Sequence, residues 1–413
     1  MINLIFALLL VQGQDPKARE KATQDQKLQD KLDDLQDELD SLRKKMEQME
    51  KRQAATTSAN PFTVLNPTLT VAADFLLRVD DRKVYLDNDP TKDRIDDTIN
   101  LREVELDLRA SVDPYVDGVA IVSFGAEVPG QFGVDIEEFY ATVKSLPIPL
   151  WETPPLGTQI KVGRFRTEFG LNNISHTHDL PQTDRPLVIQ EFLSEDGSAA
   201  NGISSRSRLP SLEGTALNLT LQWLQGGGIS IADDPNHWAY LSNLNFFWQM
   251  ADEHSLNLAF IGFYGTNDPE GHDQSRTASA EFLYKWKPLR QGEYNSFLFG
   301  GQVFYAKHEF PTGPDTHERT WPLGYDVWAQ YQVSSRLYAG IRWDWTETLV
   351  DTSLKRKQLS PYFTWYTSEF FRARFTYQHV WSDLPIEDHR DTFLMELVVV
   401  FGAHPPEPFW VNK

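Results

Sequence analysis

The chain has 413 residues, no cysteine and a formal net charge of −20, with 12 tryptophans in a sequence whose mean hydropathy is −0.44. The lack of cysteine excludes disulfides and thiol chemistry, and the acidic balance argues against a nucleic-acid partner, because phosphate needs a basic face. What remains is one large β architecture or two or three ordinary domains, with many large apolar rings to place in a chain that is polar on average.

Residues 1–13, "MINLIFALLLVQG", read as a signal peptide: an apolar run from Ile5 to Val11 precedes a small residue. No later apolar stretch approaches the roughly 18 residues of a transmembrane helix. Residues 22–53 have another character. Leu28, Leu32, Leu35, Leu39, Leu42, Met46 and Met49 recur with gaps alternating between four and three, an unbroken heptad seam among Asp, Glu, Gln, Lys and Arg. A lone helix would leave that stripe wet, so the spacing predicts a coiled coil. Residues 54–61 form a linker.

From residue 62 to residue 402 the period becomes two. Leu69, Val71, Ala73, Phe75 and Leu77 alternate with Thr70, Asp74 and Arg78. Val104, Leu106, Leu108 and Ala110 alternate with Glu103, Glu105, Asp107 and Arg109. Leu337, Ala339, Ile341, Trp343 and Trp345 alternate with Tyr338, Arg342 and Asp344. Sixteen candidate strands can be drawn, at 68–79, 100–112, 116–126, 135–144, 158–169, 201–209, 214–225, 236–249, 254–265, 276–287, 294–309, 321–333, 336–347, 357–367, 370–381 and 391–402. Many run ten to twelve residues, longer than the usual soluble strand of about five or six and close to a tilted membrane-crossing strand. Their connections tend to alternate between tight turns and longer polar loops, "SLPIPLWETPPLG" after the fourth strand being an exception.

In hydrocarbon every backbone hydrogen bond must be made, so without a spanning helix only a closed sheet can cross. The pattern predicts an all-β fold: a 16-stranded antiparallel transmembrane β-barrel with an N-terminal periplasmic coiled-coil helix. Apolar alternates would meet outer-membrane lipid, polar ones water, and terminal tryptophans an interfacial girdle. A soluble sandwich also alternates, but rarely needs so many long strands with aromatic ends. The last strand, "TFLMELVVVFG", is followed by a tail at 403–413.

The layout resembles the phosphate-selective porin O and P family of outer-membrane channels. The likeness lies in the charged coil, "INLREVELDLRASVDPYVDGVAIVSF", "VGRFRTEFG" and "LPQTDRPLVIQEF". It implies a pore of sixteen strands, usually a homotrimer, with a third external loop folded inward. It does not imply phosphate, because the lumen lacks a dense Lys/Arg ladder.

That loop, residues 171–200, is the longest connection and the candidate constriction. Within it, Asp184, Arg185 and Glu191 are constriction candidates, Arg185 pairing with either carboxylate to fold the loop. His176 and His178, two apart in a polar loop, read as solvated rather than as metal ligands. Glu103, Glu105, Asp107 and Arg109 are candidates for the pore lining on one strand. Arg372 and Arg374 are candidates on another, with Arg342, Arg164 and Arg166. Opposed acidic and basic walls would set a transverse field on solutes. No nucleophile elbow, phosphate loop or zinc signature is present, and carboxylates 103 and 105 in a wet lumen lack the apolar pocket of a glycosidase acid. The sequence therefore predicts a passive channel for small hydrophilic solutes or ions, without catalytic residues, cofactor or metal. The alternative is a membrane anchor whose coil contacts the cell wall.

Overall fold

A computed structural model describes residues 67–82, 84–85, 94–95, 97–128, 131–288, 294–313, 316–384, 389–402 and 408–411. The leader, the coiled coil and the linker lie outside the described residues. So does the tail, apart from 408–411.

Sixteen long antiparallel strands make the wall. They are β1 (Thr68–Asp80), β2 (Thr98–Ser111), β3 (Val116–Val128), β4 (Gln131–Val143), β5 (Gln159–Arg166) and β6 (Ala199–Leu209). Next come β7 (Thr215–Gln225), β8 (Trp238–Ala251), β9 (His254–Thr266), β10 (Gln274–Trp286) and β11 (Ser296–Gly313). The last five are β12 (Leu323–Ser334), β13 (Leu337–Glu347), β14 (Lys355–Ser368), β15 (Phe371–Ser382) and β16 (Arg390–Gly402). Each pairs with its chain neighbours, and β1 pairs with β16 from Thr70 opposite Gly402 to Asp80 opposite Thr392. The sheet is therefore closed, which leaves the described wall no open edge to satisfy in lipid. A short strand, Thr316–Thr320, extends β11 beyond one rim.

The period-two pattern acts here as expected. On β13, Ile341 is exposed outward while Tyr338, Arg342 and Asp344 are buried inside. Outward tryptophans gather near both rims: Trp223, Trp238 and Trp321 by the long loops, Trp248 and Trp365 by the short turns. A ring at that depth buries its body in the interface and keeps its N–H wet.

Away from the hairpin ends, two β-bulges break the alternation among the described residues. Asp74 faces Glu103 and Phe75 faces Leu101, so Arg102 is the extra residue in β2. Ile121 faces Glu138 and Val122 faces Ile136, so Glu137 is extra in β4. A bulge sets two residues of one strand against one of the next and re-aims a side chain. Here it turns Arg102 inward beside Glu103, and Glu137 inward beside Glu138.

The bore is filled largely by the 171–200 connection. Its helices are α1 (Leu171–Ile174) and α2 (Leu187–Phe192). Val188, Ile189 and Phe192 pack among Phe263, Phe304 and Leu241, which the wall turns inward from β9, β11 and β8. Burying each such side chain contributes about 1.5–3 kcal/mol. This apolar lining on one side of the bore departs from a wall wet throughout.

Candidate functional site

The loop crosses the bore and is held to the opposite wall by arginines. Arg342 Nη1 donates to the Asp184 carbonyl at 2.7 Å and Nη2 to its carboxylate at 2.8 Å. Arg374 donates to the carbonyls of Gln182 and Leu180, each at 2.7 Å. Arg372 donates to the His178 carbonyl, and Arg102 to that of Thr183 at 2.7 Å. Buried carbonyls need donors, and guanidinium supplies several in a fixed fork. Glu396 on β16 takes Arg374 at 2.7 Å and Arg102 at 2.8 Å. Asp74 also pairs with Arg102.

These placements recast the expected basic wall. Arg342, Arg372 and Arg374 face inward but are almost fully buried against the loop. They act as clamps on it rather than as charges offered to passing solute. Arg164 departs from the expectation altogether. It stands opposite Phe139 and Asn201 in the ladders, on the outer face, and donates to the Ile136 carbonyl at 2.7 Å. Arg166 does reach inside, donating to Glu137 at 2.6 Å and to the Asp196 carbonyl at 2.9 Å. Arg109 pairs with Asp107 on its own strand at 2.8 Å and keeps an exposed head.

Within the loop, Arg185 pairs with neither Asp184 nor Glu191. It donates to the carbonyls of Asn172 and Ser175, closing the loop on itself. Glu191 accepts the Leu349 N–H at 2.8 Å, and burial raises its carboxyl above the ordinary range. Burial also acts against Asp184, but Arg342 and Gln378 hold its carboxyl below the ordinary range.

His176 and His178 are not solvated; both are buried inside the bore, against carboxylates of the wall. His176 Nδ1 lies 2.9 Å from Glu105 and 3.0 Å from Glu137, and its Nε2 lies 3.0 Å from Glu138. His178 Nδ1 is 3.6 Å from Glu105. Glu137 and Arg102 are hidden in the sequence because each is the extra residue of a bulge and breaks the alternation. The His-Thr-His-Asp stretch was the available signal.

Two further features were not foreseen. Lys161 on β5 and Arg206 and Arg208 on β6 share the inward face with Thr220 and Gln222, and both arginines are exposed. They form a basic mouth towards the short-turn rim. Tail residue Trp410 is buried in the bore against Tyr338 and Tyr366. Its Nε1 donates to the Asp179 carbonyl at 2.8 Å, and the guanidiniums of Arg372 and Arg374 lie 5.5 and 5.6 Å from its ring.

With that geometry in view, the chain is similar to solved outer-membrane barrels. It matches the outer membrane channel DcaP of Acinetobacter baumannii at 11% identity and TM-score 0.56, covering 81% of this chain and 97% of that one. It matches the anion-selective porin from Comamonas acidovorans at 10% identity and TM-score 0.53, over 81% and 99% of the two chains. The trimer form of OmpT from Vibrio cholerae aligns at 8% identity and TM-score 0.51, over 81% and 99%. The fold is thus that of the outer-membrane porins. In sequence, an uncharacterized protein of Aquifex aeolicus is 40% identical over 96 residues, which are 23% of this chain and 18% of that protein. No family model matches the sequence.

Proposed function

We propose that this chain is an outer-membrane porin through which small hydrophilic solutes or ions diffuse passively. The observation that carries the reading is a closed wall of sixteen strands, apolar and aromatic outside, with charged side chains and a long folded-in loop inside. Such a wall is built to meet lipid on one face and water on the other. The short-turn rim would face the periplasm.

The finer reading is a homotrimeric relative of the phosphate-selective porin O and P family, in line with the inward third loop and with a porin-type neighbour in a trimer form. Phosphate itself is not favoured. Arg342, Arg372 and Arg374 are spent on loop carbonyls and carboxylates, which leaves exposed Arg206 and Arg208, beside Lys161 whose ammonium lies 4.3 Å from the Tyr140 ring, as the inward cations of the basic mouth.

One observation favours a second reading, an anchor whose coil ties the membrane to the cell wall: side chains of the loop and of the tail pack against the inner wall of the bore. Planar-bilayer recording separates the two. Steady open steps support the channel. A barrel that inserts correctly and stays silent supports the anchor.

A further inference from the structure

We propose that the bore, where the loop meets β2 and β4, binds a divalent transition-metal ion of the zinc class through His176, Glu105 and Glu137. The donor atoms of these three side chains, one from the loop and one from each of β2 and β4, all lie within 4.8 Å of one another. A second set, Glu103, Glu105 and His178, has the same compactness and shares Glu105.

The hydrogen bonds around His176 do not close without a cation. Three carboxylate oxygens surround the ring, two at Nδ1 and one at Nε2. An imidazole has at most two N–H groups, so one oxygen is left over. That oxygen is Glu105 Oε2, which has no hydrogen-bond partner although the residue is only 4% exposed. A buried acceptor left unmet is costly, more so when charged. Glu103 adds a further carboxylate to the same cluster. Its neighbours offer little relief: Arg166 serves Glu137, and Arg102 is engaged by Asp74 and Glu396. Four carboxylates against Arg166, the guanidinium they pair with, and the more distant Lys161 and Arg185 still leave a surplus of negative charge.

A metal resolves both deficits. His176 Nδ1, freed of its proton, would bind the ion together with Glu105 and Glu137. Its Nε2–H would still donate to Glu138, the carboxylate–histidine–metal relation by which an outer partner fixes the ring's tautomer and orientation. Arg166, bound to Glu137, would orient that ligand in the same way. One imidazole nitrogen with carboxylate oxygens suits zinc and its first-row neighbours better than calcium or magnesium, which prefer oxygen alone. Occupancy would stitch the loop to β2 and β4.

The test is calorimetric titration of the full chain in detergent with zinc chloride and, separately, calcium chloride, beside Glu105→Gln, which removes the ligand common to both sets. Zinc should bind at least about tenfold more tightly than calcium. The variant should lose about tenfold or more of that affinity, since a lost ligand costs no less than a lost outer partner. Zinc binding no tighter than calcium, or unchanged in a folded Glu105→Gln barrel, overturns the site. Should the variant not fold, X-ray absorption of the zinc-loaded wild type decides: at least one imidazole in the shell supports the site, and an oxygen-only shell overturns it. Binding is read without conduction, so failure here leaves the channel reading standing.

Discussion

Arg342 and Asp184, 158 residues apart in sequence, are joined by two hydrogen bonds, one to the carboxylate at 2.8 Å and one to the carbonyl at 2.7 Å. This contact fastens the inward loop to β13. Arg342 also donates to Asp344 at 2.7 Å, so its charge is shared between wall and loop.

Arg342→Ala leaves Asp184 and Asp344 without their guanidinium. Breaking a buried pair from one side costs about 3–5 kcal/mol. The expected outcome is a loop open to limited proteolysis and a lower unfolding temperature of the detergent-solubilised barrel. Unchanged proteolysis would show that the loop is held elsewhere.

Acid should act on the same contact. The Asp184 carboxyl is held below its ordinary value by Arg342. It contributes stability that is full above the unfolded value and is lost as pH falls through the folded one. Protease sensitivity of the loop should therefore appear below about pH 4, and in Asp184→Asn, which cannot ionise, it should already be present at pH 7. Glu191 has the opposite sign. Burial raises its carboxyl, so the folded state binds its proton more tightly and stability falls as pH rises from the unfolded value through the folded one. Glu191→Gln keeps an oxygen for the Leu349 N–H. It should stabilise the loop at pH 7 and have little effect well below pH 4, read as a difference in unfolding temperature.

Arg206→Glu with Arg208→Glu should shift the reversal potential in asymmetric salt towards cations, because both exposed guanidiniums face the bore. No shift would remove them from the selectivity path. The same exchange at Arg372 and Arg374 should instead free the loop, since their charges are bonded to its carbonyls. Its readout is proteolysis.

Trp410→Ala removes the ring that packs on Tyr338, Tyr366 and two arginines. Single-channel conductance should rise, with barrel heat-modifiability unchanged. Equal conductance would mean that the tail does not restrict the path.

Much of the wall was legible in the sequence, because a side-chain period of two in ten-residue runs ties Leu337 or Ile341 to lipid and Arg342 or Asp344 to the bore. The site was less so. A single inserted residue, Arg102 or Glu137, reverses the face of a side chain without leaving a mark in local composition. Arg164 was misplaced for a related reason: Phe165, not Arg164, takes the inward position on β5. The burial of His176 depends on carboxylates from two distant strands, which no local pattern in the loop reports.

Trp410 rests on strands that must already be neighbours: β13 and β14 supply its tyrosine bed, and loop residue Asp179 its acceptor. Its seat does not exist until those two strands have paired and the loop has docked beside them. Docking of this segment therefore reads out arrival of the loop inside the barrel, and a chain whose loop has not yet docked would leave the indole in water, giving fluorescence a way to time that step.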